Sequence, residues 1–303
     1  MDTKKTIKIR QSLGYTGYCR HDHARIIVPD RLPVKLDIKD TRILVNVGEF
    51  VVLPPFTPYA FASAAARDLI DFDFSLLSEN PEFTLLLPVL SSPYVCRSEK
   101  PEATPEAKAF GRIVPVYCQK KDPPRKESEA ASPMDLVKSM ISFASAGKAF
   151  PLTATLSLFN ALFCLIGGEI TEAIKESEPG FSADTAGRLS AAISFINHHF
   201  HENIDLKETA KEAGYNHTHL SHIFKKIYGI SLYDYLIHTR LVNAASLISG
   251  KNSTSSEAGL LSISEIALVS GFSSSSTFNR CFLNEFGLSP RDFAKLPGDE
   301  QHA

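Results

Sequence analysis

The 303-residue chain has no marked excess of charge of either sign: 32 lysines and arginines face 34 aspartates and glutamates, a formal net charge of −2. Bulk electrostatics therefore do not announce a polyanion binder. Cysteine is sparse. Cys19, Cys96, Cys118, Cys164 and Cys281 are odd in number and widely spaced, and no Cys-x-x-Cys pair occurs. That argues against a disulfide framework or a thiolate zinc site, and predicts reduced, mostly buried thiols. Long apolar runs are also missing. The longest, Leu156 to Ile166, is too short to span a bilayer and is interrupted by Asn160. Lys4 and Lys5 have no apolar run behind them, so neither a signal peptide nor a membrane partner is expected, and the expected location is cytoplasmic.

What is present is ordinary globular composition. Hydrophobic residues make up 44% of the chain, with 20 Phe and 9 Tyr, enough for a full core and about two domains. Residues 1 to about 115 read as strands. Ile7-Lys8-Ile9, Arg25 to Val28, Arg42 to Val47 and Phe50 to Leu53 are short β-branched runs punctuated by Pro, Gly and Asp, the pattern of an antiparallel barrel or sandwich. Asp71-Phe72-Asp73-Phe74 alternates as a half-buried strand should. Residues 119 to 133 form a charged, Pro-containing loop.

From about 134 to 176 the period becomes helical, with one stripe of Leu136, Val137, Met140, Ile141 and Phe143 and another of Leu156, Phe159, Leu162, Phe163 and Ile166. The second is apolar on more than one face, which suits deep core or a partner interface. Linker composition over Glu176 to Gly187 places a domain boundary there.

The last third repeats itself. Leu206-Lys-Glu-Thr-Ala210 and Gly214-Tyr215 return as Ile263-Ser-Glu-Ile-Ala267 and Gly271-Phe272, an offset of 57. Leu220, Phe224, Tyr228 and Gly229 return as Phe278, Phe282, Phe286 and Gly287, an offset of 58, so the second turn carries one extra residue. Asp205 with Glu208, and Ser262 with Glu265, are capping boxes, and Leu261 with Ile266 adds a hydrophobic staple. Ala210 and Ala267 are small where helices would cross, and Gly214 and Gly271 sit where a helix must end in a left-handed residue. Each copy is thus a helix-turn-helix whose second helix can enter a major groove.

Helical spacing sorts those second helices into faces. Leu220, Ile223, Phe224 and Tyr228 point inward in the first, and Phe278, Cys281, Phe282 and Phe286 in the second. The outward set is His217, Thr218, Ser221, His222 and Lys225 in the first copy. In the second it is Ser276, Asn279, Arg280 and Leu283, with Ser275 at its start. Asn279 and Arg280 have the shapes for bidentate contact with base edges, Ser, Thr and His supply single contacts, and Lys225 and Lys226 suit phosphates. Residues 188 to 297 hold 10 Lys+Arg and 9 Asp+Glu, a net of +1, together with seven histidines, so non-specific affinity should be modest. A metal role for His198, His199 and His201 lacks a completing carboxylate or cysteine spacing, and a solvated helix face is the expected reading.

These residues resemble the DNA-binding domain of the AraC/XylS family of bacterial transcription regulators. The resemblance covers about Ile193 to Leu296 and rests on Ile263-Ser-Glu-Ile-Ala267, Gly271-Phe272-Ser273, Phe278, Arg280, Phe282 and Gly287-Leu288-Ser289-Pro290, with His219-Leu220-Ser221 and Phe224-Lys225-Lys226 in the first copy. It implies a long helix from Leu232 to about Ser249 joining the two units. Two departures stand out: a Ser-rich insertion at Lys251 to Leu260, and Leu283-Asn284 where the first copy has its lysine pair.

In the front half, Gly48 to Tyr59 resembles the second motif of cupin barrels, and His21-Asp22-His23 the start of the first. Tyr59 occupies the place of the last metal-binding histidine, and no Glu follows His23 where one is expected. That favours a barrel used as a pocket without metal or other cofactor, with His21, His23, Arg25 and Tyr59 at its mouth by resemblance.

The expected architecture is therefore α+β and multidomain: a cupin-like, jelly-roll antiparallel β-barrel with helices at 1–176, a linker at 177–189, an all-α double helix-turn-helix domain at 190–297, and a tail at 298–303. The resemblance implies a regulator without catalytic activity. Its partners would be double-stranded DNA, a small-molecule effector, a second copy of the chain, and RNA polymerase as a further candidate. The competing classes are a cupin enzyme with a helical appendage and a helical scaffold.

Overall fold

Short β-branched segments separated by turn residues fold into two antiparallel sheets. A computed structural model of the chain describes residues 7–12, 18–62, 64–97, 132–145, 152–178, 180–250 and 261–296. The strands are β1 (Ile7–Ser12), β2 (Tyr18–Cys19), β3 (Ala24–Pro29), β4 (Val34–Ile38), β5 (Thr41–Val45), β6 (Phe50–Leu53), β7 (Tyr59–Phe61), β8 (Arg67–Phe72) and β9 (Tyr94–Cys96). Among the described residues, one sheet has the order β1-β8-β3-β6-β9 and the other β2-β7-β4-β5. Their interleaved order is that of a jelly-roll-like double sheet.

The first sheet is buried on both faces. Ile27, Val51 and Leu69 point into the space between the sheets, with Val34, Leu36, Ile43 and Val45 from the second sheet. Ala24, Ile26, Val52, Ile70 and Phe72 point the other way, into a core shared with helices. This explains why β3 is buried along its whole length instead of alternating. It also corrects the reading of Asp71 to Phe74 as a half-buried strand. β8 ends at Phe72 with both faces covered, and Asp73 turns the chain into α1 (Ser75–Ser78), its Oδ1 accepting the Ser75 N–H. A 3-10 helix (Pro81–Leu86) follows, so the front segment is not strands throughout.

Helices α2 (Pro133–Ser145) and α3 (Leu152–Ser177) cover the outer face of the first sheet. Phe159 and Phe163 of α3 lie 4.9 and 5.6 Å from Phe72, ring to ring. The 26-residue α3 outruns the apolar stretch seen in sequence, and Thr153–Lys175 is long and apolar enough to cross a membrane by length and composition. One face of it, through Phe159, Leu162, Phe163, Ile166 and Ile170, is buried in the protein, while Cys164 and Leu165 on another face are exposed.

The remaining helices are α4 (Ala183–His199), α5 (Leu206–Glu212), α6 (His217–Tyr228), α7 (Leu232–Gly250), α8 (Ile263–Val269), α9 (Ser275–Phe286) and α10 (Pro290–Lys295). α4 starts within the stretch of linker composition, capped by Ser182. Leu189, Ile193, Leu220, Phe224 and Tyr235 join the core that holds α3, so the first helix-turn-helix unit packs on the front half. The second unit has its own core of Leu241, Ile248, Ile266, Phe278, Phe282, Phe286 and Phe293, into which Phe56 from the β6–β7 connection is inserted. The loop at 119–131, the insertion at 251–260 and the tail at 298–303 lie outside the described residues.

Candidate nucleic-acid interface and the barrel cluster

Both units are built as their sequences dictate. Asp205 and Glu208 form a complete capping box at the start of α5, as do Ser262 and Glu265 at α8. Gly214 and Gly271 have φ of +67° and +85°, and Gly229 and Gly287 cap α6 and α9 in the same left-handed region. The second turn is one residue longer: Asn216 caps α6, accepting the His219 N–H at 2.8 Å, and Ser274 caps α9, accepting the Thr277 N–H at 3.2 Å.

The faces fall as expected. Leu220, Phe224 and Tyr228 are buried on α6, and Phe278, Phe282 and Phe286 on α9. His217, Thr218, His222, Lys225 and Lys226 are exposed, with Ser221 half-buried; Ser276, Asn279 and Arg280 are exposed, with Ser275 half-buried. Two contacts were not legible in the sequence. Lys226, assigned to phosphate, forms an ion pair with Glu178 at the end of α3. Lys39, at the β4–β5 turn, donates to the Asn284 carbonyl on α9 at 2.9 Å. Arg188 is a further unforeseen support, donating to the Gly214 carbonyl at 2.7 Å. These pairs join residues far apart in sequence, which no local pattern reports.

Of the three clustered histidines, His198 has Nδ1 2.7 Å from the Ser194 carbonyl and His199 has Nδ1 2.9 Å from Glu202 Oε1. Their local partners are a helix carbonyl and a surface carboxylate.

The four residues picked from the cupin-like motifs do come together. The His21 ring lies 5.3 Å from that of His23 and 5.5 Å from that of Tyr59. Arg25, wholly buried, sits among them. Its Nη1 donates to the Tyr59 hydroxyl at 2.6 Å, and its Nε and Nη2 make a bidentate pair with Asp71, directly opposite on β8. Arg10 adds a bond to Asp71 at 3.3 Å. The charge of Asp71 is opposed by burial, but bonds to His23 and Arg25 outweigh that and hold its carboxyl well below the usual range. Burial and the neighbouring Arg25 push His21 down to about 3, so its ring is neutral. For His23, burial is outweighed by bonds to Asp22 and Asp71, which raise it.

This donor set does not fit a divalent ion, because the guanidinium of Arg25 already supplies the positive charge at its centre. His21, Arg25 and Tyr59 are buried, and none of the four lines the cavity between the sheet region and α7. Asp71 completes the group and was missed because its partner lies 46 residues away.

A family model described as a helix-turn-helix domain matches residues 209–296. Over 92 residues the chain is 37% identical to the probable transcription factor PqrA of Proteus vulgaris, covering 30% of this chain and 69% of that protein. The chain belongs to the AraC/XylS family of transcription regulators. The chain is also similar to an uncharacterized HTH-type transcriptional regulator of Staphylococcus aureus (strain COL), 28% identical over 35% of this chain. The chain spans only 13% of that longer relative. Among solved structures, ToxT from Vibrio cholerae O395 aligns over 95% of this chain and 96% of its own, at 12% identity and a TM-score of 0.46.

Proposed function

We propose that this AraC/XylS-type chain reads a specific DNA sequence with α6 and α9, under control of a small molecule sensed through its front half. The observation that carries the reading is the pair of equivalent units joined by α7. Each is fixed by the same caps and glycines, and each presents an exposed polar row. His217, Thr218, Ser221 and His222 on α6, and Ser275, Ser276, Asn279 and Arg280 on α9, face bases; Lys225 and Lys226 face phosphates. The weak basic excess of this part favours paired sites, so the working form is a homodimer joined through α2 and α3, where Phe143 and Leu165 are exposed. Placement in the cytoplasm, contact with RNA polymerase and absence of catalysis complete the proposal.

The test is selection of bound sequences from a random double-stranded DNA pool at fixed salt. A motif with two blocks about one turn (about 10.5 bp) apart is expected. Asn279→Ala or Arg280→Ala should then relax one block, at about 1–3 kcal/mol for each base edge no longer read, whereas Lys225→Ala should weaken all sequences alike. A uniform weakening from both classes of change would show that the division into base and phosphate contacts is wrong.

A further inference from the structure

The exposed rows of α6 and α9 differ in kind at one pair of equivalent positions. The offset of 58 that relates the two helices pairs Lys225 with Leu283. Every exposed residue of α6 is polar or charged. On α9 Ser276, Asn279, Arg280 and Asn284 are exposed and polar or charged, and Leu283 among them is not. It is 51% exposed, and among the described residues no other aliphatic side chain is exposed on either helix.

The helix places this leucine on the row turned toward bases. Leu283 follows Ser276, Asn279 and Arg280 by seven, four and three residues, so at about 3.6 residues per turn all four share a face. Phe278, Phe282 and Phe286 bury the opposite one. The β4–β5 turn reaches α9 one residue further on, where Lys39 donates to the Asn284 carbonyl at 2.9 Å, and it leaves Leu283 open.

A leucine neither donates nor accepts a hydrogen bond, so it can answer neither a phosphate nor a polar base edge. What the major groove offers an apolar side chain is the C5 methyl group of thymine. Nor do the side chains at 283 and 284 carry the charge that would seat this turn of α9 on a phosphate, as Lys225 and Lys226 do for α6 in the regulator reading. We propose, on that reading, that Leu283 recognises a thymine methyl in the block of DNA bound by α9. The row from Ser276 to Leu283 rises about 10 Å along the helix, roughly three base-pair steps. The thymine therefore lies within about three base pairs of the edge read by Asn279 and Arg280. The equivalent position on α6, Lys225, makes no such demand, so the two blocks are not interchangeable.

The test uses the full chain and the sequence selected from the random pool. The α9 block is the one that Arg280→Ala relaxes. Each of its thymines is replaced in turn by uracil, which keeps every hydrogen-bonding group and removes only the methyl. One replacement should weaken binding about fourfold, the worth of one buried methyl group. Leu283→Ala should weaken binding to the thymine duplex by at least as much, and should bind the thymine and uracil duplexes equally. Leu283→Met, which stays apolar, should keep the distinction. Leu283→Lys, which copies the first unit, should lose it and should steepen the slope of log affinity against log salt by about 1. Should Leu283→Ala fail to fold, Leu283→Lys decides. An α9 block without thymine, no uracil effect within it, or an effect that survives in Leu283→Ala would overturn the proposal and leave the regulator reading standing. Unchanged DNA binding by Leu283→Ala would overturn it too, and would give the leucine to a protein partner. A pool that yields no motif with the unaltered chain would overturn the regulator reading itself, and the proposal with it.

Discussion

Arg25 is a full charge with no exposure to water, and it is tolerated because Asp71 and Tyr59 take up its donors. Removing one partner of such a pair leaves an uncompensated charge inside the protein. Asp71→Asn should therefore cost about 3–5 kcal/mol in urea unfolding, whereas a cost below about 1 kcal/mol would mean that Arg25 reaches water. The cluster also sets a pH dependence. His21 is held down to about 3, so between there and the ordinary value near 6.5 the unfolded chain binds a proton that the folded chain refuses. Its contribution is present above about 6.5 and is lost as pH falls, by at most about 1.4 kcal/mol per pH unit. The depressed Asp71 adds a further loss below the ordinary carboxylate range, near 4. His23, which is raised, acts in the opposite direction: its contribution is complete below about 6.5 and fades as pH rises through its folded value. His21→Gln should flatten the fall in stability between pH 6.5 and 4; an unchanged profile would assign that fall to other groups.

At the scale of elements, the two helix-turn-helix units are nearly the same object built twice, but what packs against their turn glycines differs, with a measurable consequence. A Cβ at Gly214 would lie 3.4 Å from the Arg188 Nη1, at the movable end of a side chain. A Cβ at Gly271 would lie 2.6 Å from the Phe200 carbonyl oxygen and 2.8 Å from Arg240 Nε, which itself donates to that carbonyl. Gly214→Ala should cost about 1–2 kcal/mol, the penalty of a left-handed alanine. Gly271→Ala should cost about 1–3 kcal/mol more, because backbone must move. Equal melting temperatures for the two variants would contradict this. Both glycines were legible in the sequence because a helix stop is written locally, as were the capping boxes and the buried rows of α6 and α9. The strand runs around Ile26 and Val52 were legible too. The burial of both sheet faces was not, since whether Asp71 meets water depends on β3 lying beside β8. The helical period read up to about 176 matches the end of α3 at Ser177, and Gly167 and Gly168 lie within the helix. The 3-10 turn after β8 was missed because its residues carry no strong period.

For the molecule as a whole, the two units sit against the front half through separate contacts. Glu178 holds Lys226, and Lys39 holds the end of α9. The guanidinium of Arg20 lies 5.0 Å over the Phe293 ring and donates to the Ser249 hydroxyl. If Lys226 serves as a phosphate contact, Glu178 competes for it. Glu178→Gln should then raise affinity for all DNA sequences, and should steepen the slope of log affinity against log salt by about 1, the signature of one added phosphate contact. An unchanged slope would show that Lys226 stays off the DNA. Phe56 has one further consequence. It adopts a left-handed backbone, φ +64°, and packs into the core of a unit to which it does not belong by sequence. An excised fragment of residues 190–297 carries a hollow where that ring should sit, and leaves the outer face of Phe293 without its Arg20 lid. A chimera that takes its DNA-reading half from this chain should therefore carry residues 54–59 with it, or the graft keeps a socket without its plug.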